Sequence, residues 1–253
     1  MNKRNNNDNA EETSEVNNQD FDIDSKNIIV LMIFVCIPYA LFGMNFMGID
    51  RTDFNYILFC FGITFISLFL IPLFFNHVFW KYPGNTLGSQ LGNKKLGIII
   101  LLISLIAIPA MYIGSADPDL QNTYPLAQEW FKSFETNPQW VMFFFYELSY
   151  ALLYYIPYEF FWRGFVQLGL SKSWGDVNKS KGMWKSILLV TVITTILHAT
   201  KPISEIIGAA LVGILFGYLA EKTKSWYYIF GIHCFIGILT DVFCGLRILG
   251  LIA

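Results

Sequence analysis

Residues 54–80 read FNYILFCFGITFISLFLIPLFFNHVFW, without one Asp, Glu, Lys or Arg. A run of about 20 apolar residues crosses the hydrocarbon core of a bilayer as a helix. A spanning segment must also satisfy its own backbone polar groups, so this stretch is read as a transmembrane helix. Comparable runs cover about 27–48, 95–114, 139–170, 183–200, 203–221 and 225–245, and a short piece, 246–253, follows the last. The expected fold is all-α: a polytopic membrane helix bundle of about seven to eight transmembrane helices, occupying 27–253.

Composition points the same way. Of 253 residues, 55% are hydrophobic, 17% aromatic and 14% charged, whereas soluble domains are about 25% charged. A disordered chain, a collagenous chain and a disulfide-stapled secreted domain are excluded. Seventeen basic against 19 acidic residues give no reason to expect a nucleic-acid partner. Cys36, Cys60, Cys234 and Cys244 all lie in apolar runs without metal-site spacing and read as packing residues. No internal repeat is visible, which counts against a transporter built on inverted repeats.

Residues 1–26 are polar, with Asn clusters and carboxylates, and read as a disordered cytoplasmic tail. The acidic amino-terminal region and the late start of the first apolar run do not fit a signal peptide. The polar stretch 115–137 carries Trp130 and Phe131, read as a segment lying at the membrane interface. With the amino terminus inside and seven spans alternating, 12 Lys and Arg fall on the inner side and four on the outer, Arg163 being within a span. The positive-inside rule then places the tail in the cytoplasm and the 115–137 loop outside.

An ionisable side chain at bilayer depth costs about 2.5–3.5 kcal/mol on insertion scales, so each is a functional candidate. Span four carries Glu147, Glu159 and Arg163, span five His198, and span seven His233 and Asp241. Glu205 and Lys201 flank the turn between spans five and six, and His77 ends span two. Glu159 and Arg163, four apart, share a helix face and are suited to an ion pair. At about 1.5 Å per residue, Glu159, His198 and His233 lie roughly 18, 22 and 12 Å from the inner ends of their spans, one broad layer. A carboxylate and two imidazoles can polarise a water for peptide hydrolysis, with or without a metal. Ala209, Gly213 and Gly217, each four apart, form a close-packing stripe on span six.

Tyr158-Glu159-Phe160-Phe161-Trp162-Arg163-Gly164 resembles the first motif, EExxxR with a following Gly, of the CPBP intramembrane proteases. That family includes the type II CAAX prenyl endopeptidases and bacterial bacteriocin-processing or immunity proteins. Thr194 to His198 is similar to the second motif, FxxxH, with the Phe replaced, and His233 matches the histidine of the third. His198, Lys201, Pro202 and Glu205 fit an HxxKPxxE pattern that accompanies a single-Glu first motif in a bacterial branch. Two positions depart: Tyr158 stands where the family has its catalytic Glu, and Gly237 where an Asn helps hold the oxyanion.

The resemblance implies an intramembrane endopeptidase in a bacterial plasma membrane, with membrane lipid around it and a peptide or protein as substrate. Glu159, His198, His233 and Arg163 are the expected catalytic set, with Glu159 as base and Arg163 fixing it; Glu205, Asp241 and Tyr158 surround them. Glu159, His198 and His233 also match a three-ligand zinc site, in which another group would be the base. The residues leave open zinc or no metal. The other function class is a non-catalytic membrane scaffold or immunity protein of the same fold, supported by Tyr158 and Gly237.

Overall fold

The computed structural model describes residues 23–42, 54–126, 140–175 and 178–253. Most of the expected tail, and Trp130 and Phe131, lie outside these residues. Eight helices follow in order among them. They are α1 (Ser25–Phe42), α2 (Phe54–Trp80), α3 (Lys94–Gly114), the short α4 (Pro118–Gln121), α5 (140–174), α6 (Lys179–Leu197), α7 (Ile203–Thr223) and α8 (Tyr227–Ile248). The chain is an all-α polytopic bundle. Five helices, α2, α3, α6, α7 and α8, are long and apolar enough to cross a membrane; α1 is apolar but shorter. The expected fourth span is helical from 140 to 174 and carries Glu147, Glu159 and Arg163 along its length.

Local sequence sets the ends. Asn93 and Asn178 cap α3 and α6, their side chains accepting from the backbone N–H of Leu96 and Lys181. Pro202 precedes α7, and Lys224 closes it in a left-handed conformation. Outward faces are apolar: on α3, Ile106 is 73% and Ile113 72% exposed. A surface of this kind is out of place in water and at home in lipid.

α5 runs through the middle of the bundle, every residue from Phe160 to Leu168 being buried. It is not a uniform α-helix. π-helical turns at Ala151–Tyr155 and Phe160–Leu168 bracket the short α-helical piece Ile156–Glu159, which contains Pro157. A proline lacks the N–H that would bond the preceding turn, and the widened π turn absorbs the lost register. Aromatic rings line this helix: Phe61 of α2 stacks on Tyr150 at 4.7 Å between centroids, and Tyr150 stacks on Tyr155 at 4.5 Å. Tyr39 of α1 meets Tyr154 hydroxyl to hydroxyl at 3.2 Å.

The loop 81–93 is fastened to the α7–α8 turn. The Trp226 indole N–H donates to Ser89 Oγ at 3.1 Å, Tyr228 Oη to the Leu91 carbonyl at 2.9 Å, and Asn93 N to the Thr223 carbonyl at 2.8 Å. Gly92 takes a positive φ of 47° against the Thr223 carbonyl, where a Cβ would overlap that oxygen. At the opposite end, Ser204 donates to Asp117 Oδ2 at 3.0 Å and Arg247 Nε to Ser115 Oγ at 2.8 Å. The small-residue stripe of α7 packs on α6: a Cβ on Gly213 would lie 3.0 Å from Thr191 Cγ2, and one on Gly217 2.9 Å from Ile187 Cγ2.

Gly164 is where α5 passes under the fastened loop. A Cβ there would sit 2.7 Å from the Leu87 carbonyl oxygen and 2.8 Å from Trp226 Cδ1, neither of which can turn aside. Gly164→Val is expected to destabilise the protein by about 1–3 kcal/mol through overpacking. Gly62, with nothing within 4 Å of its would-be Cβ, is the control. Thermal unfolding in detergent should fall for Gly164→Val and hold for Gly62→Ala; equal curves would refute the close approach.

Candidate active site

α5 and α8 meet through charged groups in the bundle interior. Glu159 Oε1 lies 2.5 Å from His233 Nδ1. A carboxylate only accepts, so the hydrogen-bond network assigns the proton to Nδ1 and leaves Nε2 with the lone pair. Glu159 is 0% exposed, whereas the His233 side chain is 27% exposed. The imidazole is therefore the member of the pair that opens outward, with the carboxylate behind it. Three rings hold it: Tyr155 at 4.8 Å, Tyr158 at 5.6 Å and Phe216 at 5.8 Å between centroids.

Arg163 completes the charge balance. Its Nε stands 3.6 Å from Glu159 Oε2, an ion pair too long for a hydrogen bond, and its side chain is 3% exposed. Nη1 donates to Gln167 Oε1 at 3.2 Å, and Gln167 Nε2 donates to the Gly217 carbonyl of α7 at 2.8 Å. A Cβ on Gly217 would come 2.9 Å from Gln167 Oε1, so this glycine also leaves room for the strut. Sequence reasoning passed over Gln167. The signal was its place four residues beyond Arg163, which is itself four beyond Glu159.

His198 lies just past the end of α6. Its Nδ1 is 2.7 Å from the Thr194 carbonyl, which can only accept, so this imidazole too presents Nε2. Nε2 faces Glu205 Oε1 at 3.9 Å. Glu205 accepts from Tyr124 Oη at 2.8 Å, and Lys201 Nζ donates to the same phenol at 2.9 Å. Burial, with the Glu205 carboxylate beside it, pushes the Tyr124 phenol well above its ordinary range and keeps it a donor.

Glu159 and His233 are thus directly joined, while His198 is held by its own partners, Thr194 and Glu205. Asp241, two turns beyond His233, is engaged elsewhere: its Oδ2 accepts from Tyr146 Oη at 3.0 Å, with Glu147 alongside. Tyr158 is buried, its ring stacked on Tyr154 at 5.8 Å. The donors do not fit a three-ligand zinc site. Glu159 Oε1 is bonded to His233 Nδ1, on the other side of the ring from Nε2, and among the described residues no three His, Cys, Asp or Glu are grouped to hold a metal ion.

Residues 137–239 match the Rce1-like family of type II CAAX prenyl endopeptidases. The match bears out the resemblance to the CPBP intramembrane proteases. It spans Glu159, Arg163, His198, Glu205 and His233 and stops short of Asp241, the residue that the structure places with Tyr146. Comparisons with curated proteins and with solved structures gave no match. An Rce1-like segment together with several apolar helices makes this an integral, multi-pass membrane protein.

Proposed function

We propose that this protein hydrolyses peptide bonds of membrane-associated substrates, with His233 as the water-activating base and Glu159 as the carboxylate that orients it. The observation that carries the reading is the 2.5 Å Glu159–His233 contact between an unexposed carboxylate and a partly exposed imidazole. A buried carboxylate on Nδ1 fixes the tautomer in which Nε2 is the acceptor. Nε2 takes a proton from water as the water oxygen bonds to the scissile carbonyl carbon, and the carbonyl π electrons move onto its oxygen. Collapse of that intermediate breaks the C–N bond, and the departing nitrogen takes the proton back from Nε2. Arg163 balances the Glu159 charge throughout, and His198 Nε2 is suited to accept the second hydrogen of the water. The expected orientation, amino terminus in the cytoplasm of a bacterium, belongs to the same proposal.

The test uses purified protein in proteoliposomes and a library of quenched-fluorescent peptides, with cleavage run in ¹⁸O-labelled water. Cleavage that places one ¹⁸O in the new carboxyl group, and that is lost in Glu159→Gln, supports hydrolysis at this site. A folded wild-type protein that cleaves nothing, while Glu159→Gln disrupts its assembly with a partner, favours the non-catalytic scaffold or immunity reading that Tyr158 and Gly237 suggest.

A further inference from the structure

We infer that the Tyr155 hydroxyl is the donor that stabilises the oxyanion when a peptide carbonyl is attacked at His233; this rests on the hydrolytic reading above. α5 and α8 face each other in two successive rungs. Glu159 meets His233, and one turn away Tyr155 meets Gly237. Glycine at 237 has no side chain, and the head of the phenol fills the space one would take. A Cβ built on Gly237 would overlap Tyr155 Oη and come 2.6 Å from Cζ. The position that lacks a donor on α8 is thus occupied by a donor from α5.

The ring that carries this hydroxyl is held on three sides. It stacks on Tyr150 at 4.5 Å, meets Tyr154 edge-on at 5.6 Å and lies 4.8 Å from the His233 ring. The rungs are separated by one helical turn, about 5.4 Å. That spacing admits a carbonyl group whose carbon faces the water on His233 and whose oxygen faces the phenol. A phenol ionises near pH 10 in its ordinary state, so at neutral pH it donates a hydrogen bond without giving up its proton. Asp241, one turn further along α8, is taken up by the Tyr146 hydroxyl, which donates to its Oδ2 at 3.0 Å. Donors aimed at the position where charge develops act on the chemical step and leave ground-state binding nearly unchanged.

Tyr155→Phe keeps the ring and removes the O–H. Its kcat is expected to fall about 100- to 1,000-fold with KM within about threefold, the effect of removing one oxyanion donor, and its melting temperature should match that of the wild type. Tyr155→Ala opens the space beside residue 237. Adding Gly237→Asn to it supplies an amide N–H there and should recover at least about tenfold in kcat over Tyr155→Ala alone, a fraction of the donor's worth. A Tyr155→Phe enzyme with wild-type kcat overturns the inference. So does a loss that follows melting temperature and is not recovered in the Tyr155→Ala/Gly237→Asn protein. The hydrolytic reading is judged separately: wild-type protein without cleavage, or full cleavage by His233→Ala, overturns that reading and this inference with it.

Discussion

His233→Ala is expected to lower peptide cleavage by about 1,000- to 10,000-fold, toward the upper end of what general acid–base catalysis supplies. The substitution removes the only member of the Glu159–His233 pair that is exposed, so no neighbouring group inherits the task. Glu159→Gln should cost at least about 100-fold. An amide can present either a donor or an acceptor to Nδ1, and the imidazole is no longer held in one tautomer. Tyr158→Phe should change turnover little, because Tyr158 is buried and meets His233 through its ring, which the substitution keeps. Steady-state cleavage rates of the four proteins, each shown to be folded and membrane-inserted, decide the matter. Full activity in His233→Ala, or a Tyr158→Phe defect as deep as that of Glu159→Gln, would overturn the assignment of roles.

Arg163→Leu is expected to be the most destabilising single change at the site. It strips the cation from beside an unexposed carboxylate and leaves Gln167 without the guanidinium it accepts from. Removing one partner of a buried ion pair costs about 3–5 kcal/mol, because the other charge stays buried and unbalanced. The corresponding fall in melting temperature is of order ten degrees. The double variant Arg163→Leu/Glu159→Gln should recover a good part of that fall, since the orphaned charge is gone. Unfolding followed in detergent by the loss of the monodisperse protein tests both statements. An unchanged melting temperature in Arg163→Leu would mean that the pair contributes nothing to stability.

The helices were legible because the apolar runs are long and interrupted by Lys, Asn and Pro at turns. Asn93, Asn178 and Pro202 mark helix starts in the sequence and in the structure alike. The Glu159–Arg163 pair was legible from spacing. The direction of the Glu159–His233 pair was not: which of the two is exposed depends on how α5 is rotated in the bundle. The π turns on either side of Ile156–Glu159 reset that rotation in a way a 3.6-residue period cannot anticipate. Asp241 shares a helix face with His233 because eight residues is about two turns. Two turns also separate side chains by about 11 Å along a helix, and Asp241 finds Tyr146 instead. Tyr155 was hidden for another reason. Its significance depends on the absence of a side chain at Gly237, on a helix far away in sequence.

The carboxylate and the imidazole that form the pair are separated by 74 residues of chain. A ribosome adding about 5–20 residues per second emits the second roughly 4–15 s after the first. During that interval a nascent chain carries Glu159 and Arg163 without α8, and the imidazole that pairs with Glu159 has not been made. The proposed proteolysis would therefore begin only after α8 has been added. Two separately translated pieces, divided in the turn before α8, should each be inert in the membrane and become active when they reassemble.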